Sequence, residues 1–334
     1  MLFAYGVRRN ERTMSYYLRA SDAMPLQVWR IDDASATCLG VTNPESGAGT
    51  YFKANPGEPI LEAIRRQATS WFAPDDQSPF HKSILNPAEY FPRMARPTNE
   101  WSTSPIGLSP GAEGDVGFIA TARGQLKALT RQLDRICQTV HPGEGTLETY
   151  GHDIRNLLIL ACTEVEMHWR GVLSANGYIR DRYDTRDYVN LRSAMKLDQY
   201  AVSFSNFPWL SPVSPFAGWG DTGKPSQDLE WYDAYNAAKH DRENSFERAT
   251  LAHCFAAVSA CFVMMTAQFG SAAGVDGDIE TGTFYQIVSV PAWTLSEIYL
   301  AVGDEHHPNW SPVNFDFSAR KVPLEVDIVR RVVK

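Results

Sequence analysis

Between positions 118 and 140 the apolar residues Ala122, Leu126, Leu129, Leu133, Ile136 and Val140 recur three and four apart, the spacing that lays one stripe along a helix. A second stripe, Ile154, Leu157, Leu158, Ala161, Val165, His168 and Val172, predicts a helix over about 149–176, with Gly177 where its stop belongs. A third helix runs from about 227 to 240–243 and carries Trp231, Tyr232, Tyr235 and Ala238. Asn244 with Glu247 three positions on resembles a capping pair opening a fourth, 246–269, which is apolar on most sides and therefore expected to be the most buried element.

The two ends of the chain are patterned differently. Up to about 110, proline and glycine punctuate short extended candidates such as 26–31 and one helix near 60–72, and the Pro, Ser, Thr and Gly of 92–117 mark a boundary. After 270, segments 284–291 and 313–317 read as strands with a turn of helix at 293–299 between them. Those strands need a partner, and the N-terminal extended pieces are the expected one. The fold expected is mainly α: a helical bundle over 111–270, a mixed α/β region over 1–110, and C-terminal strands over 271–334 that pack on the rest, the two ends joining in one sheet. The long connection from about 180 to 219 is unusual for a bundle, and such loops often carry function.

Composition adds limits. An apolar fraction of 44% and a charged fraction of 21% over 334 residues describe a globular chain with room for a large core or two domains. A formal charge of −8 speaks against an extended DNA-binding surface, because non-specific affinity comes from neutralising many phosphates; any nucleic-acid contact must be local. The basic residues of 170–196 are interleaved with Asp181, Asp184 and Asp187 and read as a mixed, solvated surface. Five cysteines lack Cys-x-x-Cys spacing and read as reduced core thiols of a cytoplasmic protein. Residues 1–13 lack the apolar segment of a secretion signal, and the apolar run 254–269 is too short to cross a bilayer, so no membrane partner is expected.

Chemistry concentrates in the third helix. Asn236 and His240 are four apart and share a face, with Lys239 and Arg242 beside them. A base, an amide and two fixed cations suit a phosphodiester, whose oxygens take charge-assisted donors and whose displaced oxygen takes a proton. Glu164 falls on the stripe of Leu157, Ala161 and His168, so it is expected to point inward and to pair with Lys239, His240 or Arg242, either as a structural ion pair or as an orienter of His240. Gly218-Trp-Gly-Asp-Thr-Gly-Lys224 has P-loop glycines but Pro225 in place of the magnesium-binding hydroxyl, and no strand precedes it. Asp304-Glu-His-His-Pro308 lacks a third ligand at helical spacing and reads as a surface loop. No metal or cofactor is expected.

Two long helices, a long connection and Asn236-x-x-Lys239-His240-Asp241 leading into a final apolar helix resemble the HEPN helical bundles over roughly 118–269. The resemblance implies a cytoplasmic RNA-targeting effector of a bacterial stress or antiphage defence system, of the kind that includes metal-independent endoribonucleases, with RNA and a protein partner or second copy as partners. Catalytic members place an arginine ahead of the histidine with four to six residues between; here those positions hold Asp233, Ala234 and Tyr235. The alternative is a non-catalytic interaction or dimerisation protein in which the same residues cap helices and form ion pairs.

Overall fold

The computed structural model describes residues 14–20, 26–72, 77–100, 107, 109–270, 273, 279–302 and 309–317, with only the backbone of 242, 279 and 280. The Asp304–Pro308 cluster lies outside them. The chain divides into two compact units, one of Met1–Glu89, Thr98–Trp101 and Thr294–Asn309, the other of Tyr90–Pro97, Ser102–Trp293 and Trp310–Lys334.

The first unit is a five-stranded antiparallel sheet in the order β4-β3-β2-β1-β5, formed by β1 (Ser15–Arg19), β2 (Val28–Ile31), β3 (Ser35–Cys38), β4 (Tyr51–Lys53) and β5 (Phe80–Lys82). Alternation places Trp29 and Ile31 of β2 on the buried face while Arg30 between them is exposed. Trp29 meets Phe52, Trp71 and Phe80 with ring centroids 5.7 Å away in each case. Helix α1 (Ile60–Gln67) closes this face with Ala63 and Ile64, and the predicted 60–72 helix tightens after Gln67 into a 3-10 turn, Thr69–Phe72.

That sheet overturns the mainly α expectation: with 46% helix, 15% strand and a five-stranded sheet, the molecule is mixed α/β. The short strands were hidden by the loops around them, since runs of three to five residues leave little room for a period of two to register. The ends do not join in this sheet; they pair in a separate two-stranded one, Glu89–Tyr90 with Ser311–Pro312. Among the described residues the C-terminal segment enters the first unit as loop: Tyr299 bridges Thr98, and Asn99 holds Ala301 through N–H···Oδ1 (2.6 Å) and Nδ2–H···O (3.3 Å) bonds. Residues 293–299 contribute only the 3-10 turn Leu295–Glu297, capped by Thr294 and Glu297.

The second unit contains α2 (Val116–Thr139), α3 (His152–Ala175), the short α4 (Thr185–Tyr188) and α5 (Asn190–Met195), α6 (Glu230–His240), α7 (Arg242–Ser245) and α8 (Leu251–Phe269). Two further strands, β6 (Ala201–Phe204) and β7 (Tyr285–Ser289), pair antiparallel. The predicted strand at 284–291 therefore finds its partner inside the 180–219 connection. Residues 313–317 are held as extended chain, Val313 N–H bonding Tyr90 O and Phe315 N–H bonding Asn176 Oδ1.

Helix α8 is central, packing on α3, α2 and α6. Its lining is buried on all sides, and Cys254 and Cys261 donate to the carbonyls of Ile154 and Ala161 at 3.0 and 3.3 Å, a closeness that small residues permit. It is also the one helix among the described residues long and apolar enough to cross a membrane, and 83% of its most apolar window is buried inside the fold. It starts later than predicted. The 3-10 turn Phe246–Arg248 precedes it, and Thr250, not Asn244, caps it by accepting from His253 N–H.

Candidate functional site at the end of helix α6

Helix α6 is amphipathic in a specific way. Trp231, Tyr232, Ala234, Tyr235 and Ala238 are buried, while acids (Glu230, Asp233) occupy its first turn and Lys239 and His240 its last, each matching the charge of that helix end. The aromatic face enters a cluster around Trp169 of α3, which stacks on Trp219 (4.7 Å) and meets Tyr232 (5.4 Å) and Tyr188 (5.2 Å). Trp231 Nε1–H also bonds Pro215 O at 2.8 Å, so the proline-rich connection is packed onto α6 and not loose.

Two polar ties join α6 to α3 and a third lies within α6. Tyr232 OH donates to Glu166 Oε1 at 2.6 Å, Lys239 Nζ donates to Tyr235 OH at 2.8 Å, and Arg155 gives both Nε (3.3 Å) and Nη2 (2.9 Å) to Ala238 O. Burial, then the bond to Glu166 and its charge, push the Tyr232 phenol well above its ordinary range. Lys239 is raised by its bond to Tyr235, assisted by the nearby Tyr235 and Glu166 oxygens and opposed by partial burial, so it stays a firm cation.

His240 is exposed on the last turn, with no hydrogen-bond or ion-pair partner among the described residues. Asn236 is half-buried, and because α6 is unbroken from Glu230 to His240 the two share a face, as expected. Lys239 is exposed beside them. Arg242 opens α7, and its side chain lies outside the described part of the molecule. Asp241 is occupied as the α7 cap, accepting from Asn244 N and Nδ2 at 3.3 and 3.0 Å.

Glu164 is placed differently from the expectation. Its carboxyl lies 3.6 Å from His168 Nε2 in its own helix, and no ion pair joins it to α6 among the described residues. Burial raises its carboxyl. His168 is fully enclosed, its Nδ1 meeting Gln268 Nε2 at 2.8 Å, and burial followed by the charge of Arg93 brings its imidazole down to about 3, hence neutral. The physical reason is angular: residues two apart on a helix differ by about 200°, so Glu164 shares the α8 side with His168 while Glu166 turns to α6.

The residues that face α6, Arg155, Cys162 and Glu166, were not singled out by pattern. Their spacings of seven and four do put them on one face, but Arg155 and Glu166 interrupt no apolar stripe and so draw no attention. Elsewhere the P-loop resemblance dissolves: Gly220 N–H is taken by Asp228 Oδ2 at 2.7 Å, and Gly220, at φ 91°, abuts Val189 so closely that a Cβ would fall 2.7 Å from Cγ2. Within the basic 170–196 segment, Arg180 pairs with Asp187 (3.3 Å) and Arg192 with Asp198 (2.9 Å) and Asp221 (2.5 Å), while Arg170, Arg182 and Arg186 are exposed. The five cysteines are all buried and unbridged. Comparison with family models, curated proteins and solved structures returns no match for this chain.

Proposed function

We propose that the C-terminal end of α6 is an RNA-acting site, and that the chain is a cytoplasmic effector of a stress or antiphage defence system, related to the HEPN ribonucleases. The observation that carries this reading is His240: it is exposed beside an exposed Lys239 and spends none of its hydrogen-bonding capacity on the fold. A histidine kept for capping or ion pairing would be engaged.

In the proposed reaction His240 takes the proton of a ribose 2′-hydroxyl, whose oxygen forms a bond to the adjacent phosphorus. The bond from phosphorus to the 5′-oxygen breaks, that oxygen takes a proton from solvent, and a 2′,3′-cyclic phosphate remains. Lys239 stabilises the charge on the phosphate and Asn236 positions it. A helix C-terminus ordinarily repels an anion, so this chemistry also needs that end neutralised; Arg155, planted on the Ala238 carbonyl, supplies the opposing charge. Glu164, set against His168, has no part in this scheme.

The second reading, an interaction or dimerisation module, is favoured by the ties themselves: Glu166–Tyr232 and Arg155–Ala238 bind α6 to α3, and Lys239–Tyr235 engages the lysine within α6, all without needing a substrate. Incubating purified protein with RNA, with and without a chelator, separates the two. Cleavage that survives chelation, ends in cyclic phosphate and disappears in His240→Ala supports the first; RNA left intact supports the second.

A further inference from the structure

Between the end of α2 and the start of α3 lies an open hollow of about 520 Å³. Arg135 and His152, both exposed, and half-buried Gln132 line it, Ile136 forms part of its floor, and Asp153 is the one acid among its lining residues. At its edge Tyr150 is 50% exposed although its ring is large. Neither Arg135 nor Tyr150 has a hydrogen-bond or ion-pair partner among the described residues. Phe246, in the turn that follows α7, backs the rings of Tyr150 and His152 at 5.9 and 5.0 Å, and Arg155, one turn along α3 from His152, reaches the last turn of α6. The hollow and the end of α6 are thus neighbours through α3.

We infer that this hollow is a ribonucleotide-binding subsite, holding a nucleotide next to the one acted on at α6; the inference rests on the reading of α6 as an RNA-acting site. The chemistry of the walls is divided as a nucleotide needs. An exposed tyrosine ring held from behind by a second ring offers a stacking face for a base. The guanidinium of Arg135 offers paired donors to phosphate oxygens. Gln132 can both donate to and accept from a base edge, and Asp153, which would repel a phosphate, can accept from a ribose hydroxyl or a base amino group. A patch for free anions would carry cations without the aromatic face, and the net charge of −8 on the chain leaves recognition to such local groups.

The test is equilibrium binding of 5′-uridine monophosphate and of a labelled short oligouridylate to the full chain, to Arg135→Gln and to Tyr150→Ala, with inorganic phosphate as competitor. Each substitution is expected to weaken uridine monophosphate by about tenfold or more, the factor that follows from losing one charge-assisted contact or one stacked base. Uridine monophosphate that fails to bind wild type, binds both variants as well as wild type, or is displaced equally by inorganic phosphate overturns the inference. Circular dichroism melts of the two variants guard against misfolding, and Arg135→Lys, which keeps the charge, is expected to recover part of the loss. If the variants lose uridine monophosphate while His240→Ala leaves RNA cleavage unchanged, the hollow stands and the reading of α6 falls. If His240→Ala abolishes cleavage while both variants bind normally, the hollow alone falls.

Discussion

Tyr232 and Glu166 form the tie at which single-atom changes are most informative. The phenol is buried and its only described acceptor is a carboxylate 2.6 Å away, so Tyr232→Phe leaves Glu166 with one fewer donor at a half-buried position. The expected cost is about 1–3 kcal/mol in urea or guanidinium unfolding. The raised phenol also has a sign: the folded state holds its proton more tightly than the unfolded state, so its contribution is complete below about pH 10 and is lost as pH rises above that. Absorbance titration near 295 nm should show the same number of tyrosines ionising around pH 10 in wild type and in Tyr232→Phe, although wild type carries one tyrosine more. His168 has the opposite sign. It is neutral when folded and falls to about 3, so an unfolded imidazole protonating near its ordinary ~6.5 draws stability away as pH drops through that value. Between roughly pH 6 and 4 the wild type should lose stability faster than His168→Gln, by up to about 1.4 kcal/mol per pH unit, the effect of one proton. The identity of α6 as the polar helix was legible from Asn236, Lys239 and His240, but the direction of Glu164 was not. A stripe shows which residues point inward without saying which neighbour they meet.

At the scale of elements, α8 is where pattern and packing agree. Apolar residues surround its axis, and Phe255 and Phe262 end 4.8 Å from Phe204 and 5.0 Å from Tyr285. Both contacts reach the β6–β7 pair, so emptying either site loosens helix and strand pair together. Phe255→Ala or Phe262→Ala is expected to cost roughly 3–5 kcal/mol in chemical denaturation, and a loss below about 1 kcal/mol at both would contradict this core. The helix periods of α2, α3 and α6 were readable because each exposes one face to water and buries the other. Of the strands, Val28–Ile31 and Tyr285–Ser289 were readable within 26–31 and 284–291, but the others and the pairings were not, because most are four residues or fewer and their partners lie far along the chain: β6 with β7 joins Ala201 to Ser289. Thr250 displaced Asn244 as the cap of α8 for a similar reason. Asp241 captured Asn244 for α7 first, a competition that a single motif does not reveal.

For the whole molecule, the two units divide the labour of stability: a small sheet closed by α1 and an aromatic cluster, and a larger helical unit built around α8. With a net charge of −8, RNA can be held only where cations gather, and Arg135, Arg155 and Lys239 are the described candidates around α6 and the hollow. Affinity for single-stranded RNA should therefore fall with salt along a shallow log–log slope of about −2, the value for some three phosphate contacts at ~0.7 each; a slope of −6 or steeper would point to an extended surface elsewhere.

The central claim is that His240 is present for chemistry and not for packing. Its most direct measurement compares wild type and His240→Ala in two readouts, cleavage of RNA in the presence of chelator and the thermal midpoint. The account predicts cleavage to 2′,3′-cyclic phosphate ends by wild type, none by the variant, and midpoints that agree within a few degrees, since an exposed side chain contributes about 0.5 kcal/mol or less to stability. A variant that cleaves as well as wild type, or one that unfolds, would contradict it.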